Sequence, residues 1–318
     1  MKPYRIVTKT SILTLVMLFV GCSGGFLYKD AQPMEFADFN YGFPTKTALS
    51  NPLVSYIEQG TGAQTIVLVH GLASNGGFWR YNIAALAKEF RVIAVDLPGY
   101  GKSQKGVYPY NMTFYAETIL KLLNQLGIEK VNYVGHSMGG QIGITLALTH
   151  PEKVNKLILL DPAGIESFDR GEGNWLRSVV TMEGVKTTNE EAIRRNLALN
   201  FYTWDDKWEW MVEERARMAK AKEFEDFAYA VVRSVNGMLD QPTSKKLEKI
   251  NQPTMIVYGK QDGLIPNPYL HPGFSSDVFE QGAKKILGCQ LVEIPDAGHM
   301  VQIEQSEKVN QAIIDFCR

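Results

Sequence analysis

Seven short runs rich in Val, Ile and Leu, at residues 54–58, 66–70, 92–96, 131–135, 157–161, 255–259 and 291–294, restrict this chain to a small set of folds. Ile66-Val67-Leu68-Val69 offers no polar residue to water on either side, so it reads as a strand buried on both faces. Residues 114–126 and 141–149 carry apolar positions at helical spacing, and 308–316 supplies a closing helix. Strands alternating with helices predict an α/β fold, a mostly parallel twisted sheet flanked by helices. The alternation stops between residues 165 and 240, a charged and aromatic stretch holding Trp175, Trp204, Trp208 and Trp210. We read that stretch as a helical cap lying over the carboxyl ends of the strands. The core is then 46–164 together with 241–318.

The strongest local signal is Gly135-His136-Ser137-Met138-Gly139-Gly140, directly after a strand and before a helix. That context gives meaning to a G-x-S-x-G, which is weak evidence alone. A sharp strand-to-helix turn lifts the Ser137 hydroxyl clear of the backbone and points the Met138 N–H at developing negative charge. A serine hydroxyl needs a base to act as a nucleophile. In chains with such an elbow the order is serine, acid, histidine. Among the five histidines only His271 and His299 follow Ser137 at a distance, and only His299 follows the last strand, in Pro295-Asp296-Ala297-Gly298-His299. For the acid, Asp262 lies just past a strand end, Asp161 one strand earlier is its rival, and Asp296 is too close to His299 to face it. A second oxyanion donor is expected after the strand ending at His70, where His70-Gly71 lets the backbone turn and Leu72 supplies an N–H. His70 itself reads as a buried histidine packing that loop.

These residues carry a resemblance. His70-Gly71, Asp96-Leu97-Pro98-Gly99-Tyr100-Gly101-Lys102-Ser103, the Ser137 elbow, Asp161-Pro162-Ala163-Gly164, Gly259-Lys260-Gln261-Asp262 and the loop ending at His299 resemble the α/β-hydrolase superfamily. Within it they look most like bacterial lipoprotein lipases and esterases and membrane-anchored monoacylglycerol lipases. The resemblance implies a cap inserted after the sixth strand, and loop-supporting roles for Asp96 and Glu304. It departs at 265–282, a long loop with Pro266, Pro268 and Pro272 that could reshape the pocket rim. Relatives with an aspartate nucleophile are excluded by Ser137. The expected activity is cleavage of carboxylic esters, with a small amphiphilic substrate such as a medium-chain or monoacylglycerol-like ester, through an acyl-enzyme. Alternatives are another serine hydrolase (carbon–carbon hydrolase, haloperoxidase-like enzyme, thioesterase or lactonase) and, remotely, a binding protein on the same fold.

Before the fold lies a different kind of segment. Lys2, Arg5 and Lys9 precede the apolar run 12–20, which is shorter than the ~20 residues a spanning helix needs and fits a secretory signal over 1–21. Phe19-Val20-Gly21-Cys22 resembles a lipoprotein cleavage box, although Phe19 stands where Leu is usual. Lipidation at Cys22, a tether over 22–45 and a place in the bacterial envelope follow as expectations, with Ser23 favouring the outer membrane facing the periplasm. Cys289 and Cys317 remain as a pair whose bridging is left open. The cysteine and histidine spacing matches no zinc site. No metal or other cofactor is expected. With 45% hydrophobic and 21% charged residues and a net charge of −1, the chain can build a core without such staples and has no basic stripe for nucleic acid. Oligomeric state is not legible.

Overall fold

A computed structural model describes residues 27–318. Cys22 and the signal segment 1–21 lie outside the described residues. Eight strands form one sheet: β1 (Thr45–Ala48), β2 (Val54–Gln59), β3 (Thr65–Val69), β4 (Arg91–Val95), β5 (Val131–His136), β6 (Val154–Leu160), β7 (Thr254–Gly259) and β8 (Gln290–Ile294). Their spatial order is β1-β2-β4-β3-β5-β6-β7-β8. β2 runs antiparallel to both β1 and β4, and the remaining pairs are parallel. All seven predicted runs are strands. The eighth, β1, was hidden because only Ala48 of its four residues is buried. Val67, Leu68, Val134, Ile158 and Ile256 are wholly buried, each removal from water contributing ~1.5–3 kcal/mol before conformational losses.

Eleven α-helices cover the sheet and its carboxyl edge among the described residues. α1 (Ile83–Leu86), α2 (Met112–Gln125) and α3 (Met138–Thr149) belong to the core. α4 (Arg170–Val179), α5 (Met182–Lys186), α6 (Glu190–Ala198), α7 (Glu209–Met218) and α8 (Phe224–Asp240) all fall between β6 and β7. α9 (Ser275–Lys285), α10 (Val301–Glu304) and α11 (Ser306–Cys317) complete the chain. Asn111 caps α2 by accepting the Phe114 N–H. No helix among the described residues is long and apolar enough to cross a membrane.

From Leu27 onward the segment read as a tether is tied down. The Glu190 carboxylate receives the Leu27 and Tyr28 amides, and the Lys220 ammonium donates to the carbonyls of Tyr28, Lys29 and Ala31. Phe36, Phe39 and Tyr41 are buried in the core. This segment thus straps α6 and α7 to the body. The 265–282 stretch likewise gains order: its second half is α9, whose Phe279 packs against Tyr258. His271 bonds Glu166 and Glu172 at the start of the cap, so this stretch grips the cap's root rather than the pocket wall. Cys289 and Cys317 are both free thiols. Cys289 Sγ faces the Gln290 carbonyl and Cys317 is buried at the end of α11; burial pushes the two thiols up to about 11 and about 12.

Candidate active site

The carboxyl ends of five neighbouring parallel strands, β3, β5, β6, β7 and β8, bring the predicted residues to one place. Ser137 sits between the last residue of β5 and the first of α3 with φ +52°, a left-handed conformation that costs energy for any residue but glycine. The neighbouring glycines make that turn possible. A Cβ on Gly135 would come within 2.3 Å of the Gly139 carbonyl, and one on Gly139 within 2.3 Å of the Val69 carbonyl. The turn is held by the Ser137 N–H on Leu160 O and by Gly140 and Ala163 amides on Ser137 O.

His299 follows β8 and is buried, with its Nδ1 2.8 Å from Asp262 Oδ2. Facing a carboxylate that only accepts, Nδ1 is the protonated nitrogen, which leaves Nε2 as the acceptor. Asp262 Oδ1 receives the Leu264 and Ile265 amides at 2.8 and 3.2 Å. The loop is fixed by Glu304, whose carboxylate accepts from Gly298, Tyr202 and Thr203 and so ties the His299 loop to the cap. Ser137 and His299 line the same cavity. No hydrogen bond joins their side chains here, as is common before a substrate aligns such a pair.

The rival acid Asp161 does not bond His299. Its Oδ1 accepts the Gly259 amide, behind Asp262. Ligand atoms of Asp161, Asp262 and His299 lie within 4.8 Å of one another, close enough to enclose a metal ion by spacing alone. His299 Nδ1 is spent on Asp262, however, and has no lone pair to give.

Two backbone amides near Ser137 in the chain or in the cavity wall, Leu72 N and Met138 N, have no hydrogen-bond partner among the described residues. Leu72 lines the cavity, and the Met138 side chain is buried. His70 positions the Leu72 loop from below: Nδ1 donates to the Gly71 carbonyl, and Nε2 accepts the Leu97 amide. Burial lowers its pKa to about 4, keeping the ring neutral. Asp96 closes the same support by accepting from Gly76, Lys102 and Tyr41.

Sequence reasoning missed two features. His136, the variable residue of the Gly135–Gly139 turn, is buried and donates through Nε2 to the His299 carbonyl at 2.8 Å, linking the Ser137 turn to the His299 loop. Burial and then the neighbouring His299 ring hold it well below the usual histidine range. Arg215, on α7, lines the cavity and donates through Nη2 to the Ala73 carbonyl, next to the Leu72 loop. Its neighbour Glu214 accepts from Asn75 and is pushed by burial up to about 7.

The cavity holds about 550 Å³. The cap contributes most of its apolar wall, including Val180, Ile193, Phe224, Phe227 and Val231. The other cap aromatics pack elsewhere: Phe201 stacks on Trp208 at 4.4 Å, and Trp204 meets both edge-on.

A family model described as alpha/beta hydrolase fold matches residues 64–306. The chain is 31% identical to the dihydrolipoyllysine-residue acetyltransferase component of the acetoin cleaving system of Pseudomonas putida, over 86% of this chain and 69% of that one. It is 29% identical to a 2-hydroxy-6-oxononadienedioate/2-hydroxy-6-oxononatrienedioate hydrolase of Paraburkholderia phymatum, over 83% of this chain and 90% of that protein. Among solved structures, a probable hydrolytic enzyme from Pseudomonas aeruginosa superposes with a TM-score of 0.80 at 27% identity, over 91% of this chain and 99% of that one.

Proposed function

The chain belongs to the α/β-hydrolase family, and on that premise we propose that it is a serine hydrolase of mid-sized carbonyl substrates that carry an acidic group. Ser137 Oγ attacks the carbonyl carbon while His299 Nε2 takes its proton. The Leu72 and Met138 amides receive the oxyanion, and Asp262 holds and charge-stabilises the imidazolium. His299 then returns the proton to the departing group, leaving an acyl-Ser137. Water, deprotonated by His299, releases the acid product and restores the serine.

The observation that carries the substrate reading is Arg215. A guanidinium always stays charged, and this one sits half-buried in the cavity wall beside the Leu72 loop, with one hydrogen bond, to Ala73 O, and Glu214 as its charged neighbour. A substrate carboxylate entering the cavity would add a hydrogen-bonded anion to the donors that Ala73 O leaves free. A dienedioate, the substrate in the Paraburkholderia relative's name, has two such groups, which supports an acidic substrate. A second reading, a neutral medium-chain or monoacylglycerol-like ester, is favoured by the apolar wall around Phe224 and Phe227, since each buried CH₂ yields ~0.8 kcal/mol.

A matched pair of p-nitrophenyl esters, one neutral and one ending in a carboxylate, separates the readings. The acidic ester should be preferred roughly 10- to 100-fold in kcat/KM, the worth of one charge-assisted hydrogen bond. Arg215→Gln should erase the preference. Preference for the neutral ester, unchanged in that variant, would leave the lipid-ester reading standing. For localisation we propose lipid attachment at Cys22, supported by the run 12–20 and the Phe19-Val20-Gly21-Cys22 motif.

A further inference from the structure

Asp161 directly follows β6, Asp262 lies in the turn after the neighbouring β7, and a carboxyl oxygen of each and a ring nitrogen of His299 lie within 4.8 Å of one another. Both oxygens of Asp262 act as acceptors. One oxygen accepts from the imidazole and the other from two amides. Asp161 is satisfied at one oxygen only. Oδ1 accepts the Gly259 amide at 2.9 Å, while Oδ2 is buried without a partner as an acceptor. Two ionised carboxylates this close in a dry site cannot both persist. A proton on Asp161 Oδ2 removes the repulsion and turns the orphan acceptor into a donor, with Asp262 in reach. The backbone tolerates φ +40° at Asp161, a conformation rare for non-glycine residues, and anchors it there through its N–H on Val257 O.

Resting on the Ser137–His299–Asp262 assignment, we propose that Asp161 is a positioning residue, a protonated carboxylic acid that donates a hydrogen bond to Asp262 and holds that carboxylate against His299. Burial first, and then the Asp262 charge, push the Asp161 carboxyl well above the usual carboxylate range. Every charged or titratable neighbour that bears on it acts the same way or holds Asp262 charged. Glu304 adds a second negative field, and Tyr258 is itself held neutral by burial and by Glu293. His299 stabilises the Asp262 anion through their bond.

The test compares Asp161→Asn and Asp161→Ala with wild type in kcat and in the pH profile of kcat/KM, with thermal unfolding to confirm folding. The amide of the Asp161→Asn variant can donate to Asp262 and accept from Gly259 as the neutral acid does. That variant should keep kcat within about threefold and leave the acid limb unmoved, whereas the alanine variant should lose about tenfold in kcat, the scale of one net hydrogen bond. An acid limb shifted about one unit lower in Asp161→Asn would mean that a negative charge had been removed from beside the imidazolium, and would overturn the inference. So would an alanine variant with wild-type kcat and profile. Asp262→Asn is the control for the premise. If it stays active while Asp161→Asn is dead, the acid assignment itself fails.

Discussion

Replacing Asp262 by asparagine tests the proposed machinery at its most geometrically determined point. The carboxylate spends Oδ1 on the Leu264 and Ile265 amides and Oδ2 on His299 Nδ1, all at 2.8–3.2 Å. An amide has one acceptor and one donor end, so it must disappoint one side. Turning its NH₂ toward Leu264 and Ile265 leaves one buried and one part-buried donor unsatisfied, at ~1–3 kcal/mol for the buried one. Turning it toward His299 sets donor against donor at one contact, which the imidazole relieves by moving its proton from Nδ1 to Nε2. The second arrangement costs less and is the one expected. It leaves the fold intact and the base disabled, because a protonated Nε2 cannot accept from Ser137. The corresponding change in the worked serine-protease triad costs ~10⁴ in kcat, equivalent to about 5 kcal/mol of transition-state stabilisation. Steady-state hydrolysis of an activated ester, the rate of fluorophosphonate labelling and a thermal melt measure the three parts. A loss below tenfold would refute the tautomer argument, and so would a loss matched by a large drop in melting temperature.

The other predictions rest on separate observations. Ser137→Ala should abolish hydrolysis and fluorophosphonate labelling with the fold unchanged, by ~10⁶ in kcat on the scale of a related triad; labelling that persists elsewhere would displace the nucleophile. Glu214 has a carboxyl raised from the ordinary 4.5 to about 7 by burial, so the unfolded chain loses this proton first and its contribution to stability declines as pH rises from 4.5 to 7. That decline amounts to about 3 kcal/mol. Glu214→Gln, which can still accept from Asn75, should remove that component in denaturant titrations at pH 5 and 8, and identical slopes in the two proteins would contradict it. Cys22→Ser should release the protein from membranes, and unchanged partitioning without a diacylglyceryl mass on the wild type would count against lipidation.

What the sequence revealed of this site follows from how local each signal is. Ser137 is announced by glycines within two residues of it, and the crowding at Gly135 and Gly139 explains why no other residue type serves there. His299 was legible from its place after the last strand. Arg215 was not, since Glu-Arg-Ala-Arg on a charged helix reads as a solvated face. Its burial depends on α7 lying between the Leu72–Ala73 loop and the strap that begins at Leu27, contacts made across 142 residues on one side and 185 on the other. The helix Ser275–Lys285 was obscured by the prolines before it, and β1 by its polar surface. The choice between Asp161 and Asp262 lies between these cases. Strand pairing places Leu160 beside Val257, so both acids leave the sheet at nearly the same level. Composition cannot rank them. The decision falls to the turn after β7, which adds Lys260 and Gln261 before the carboxylate and two amides behind it at Leu264 and Ile265. Asp161, with no residue between it and its strand, stays buried under that turn and can reach the imidazole only through Asp262.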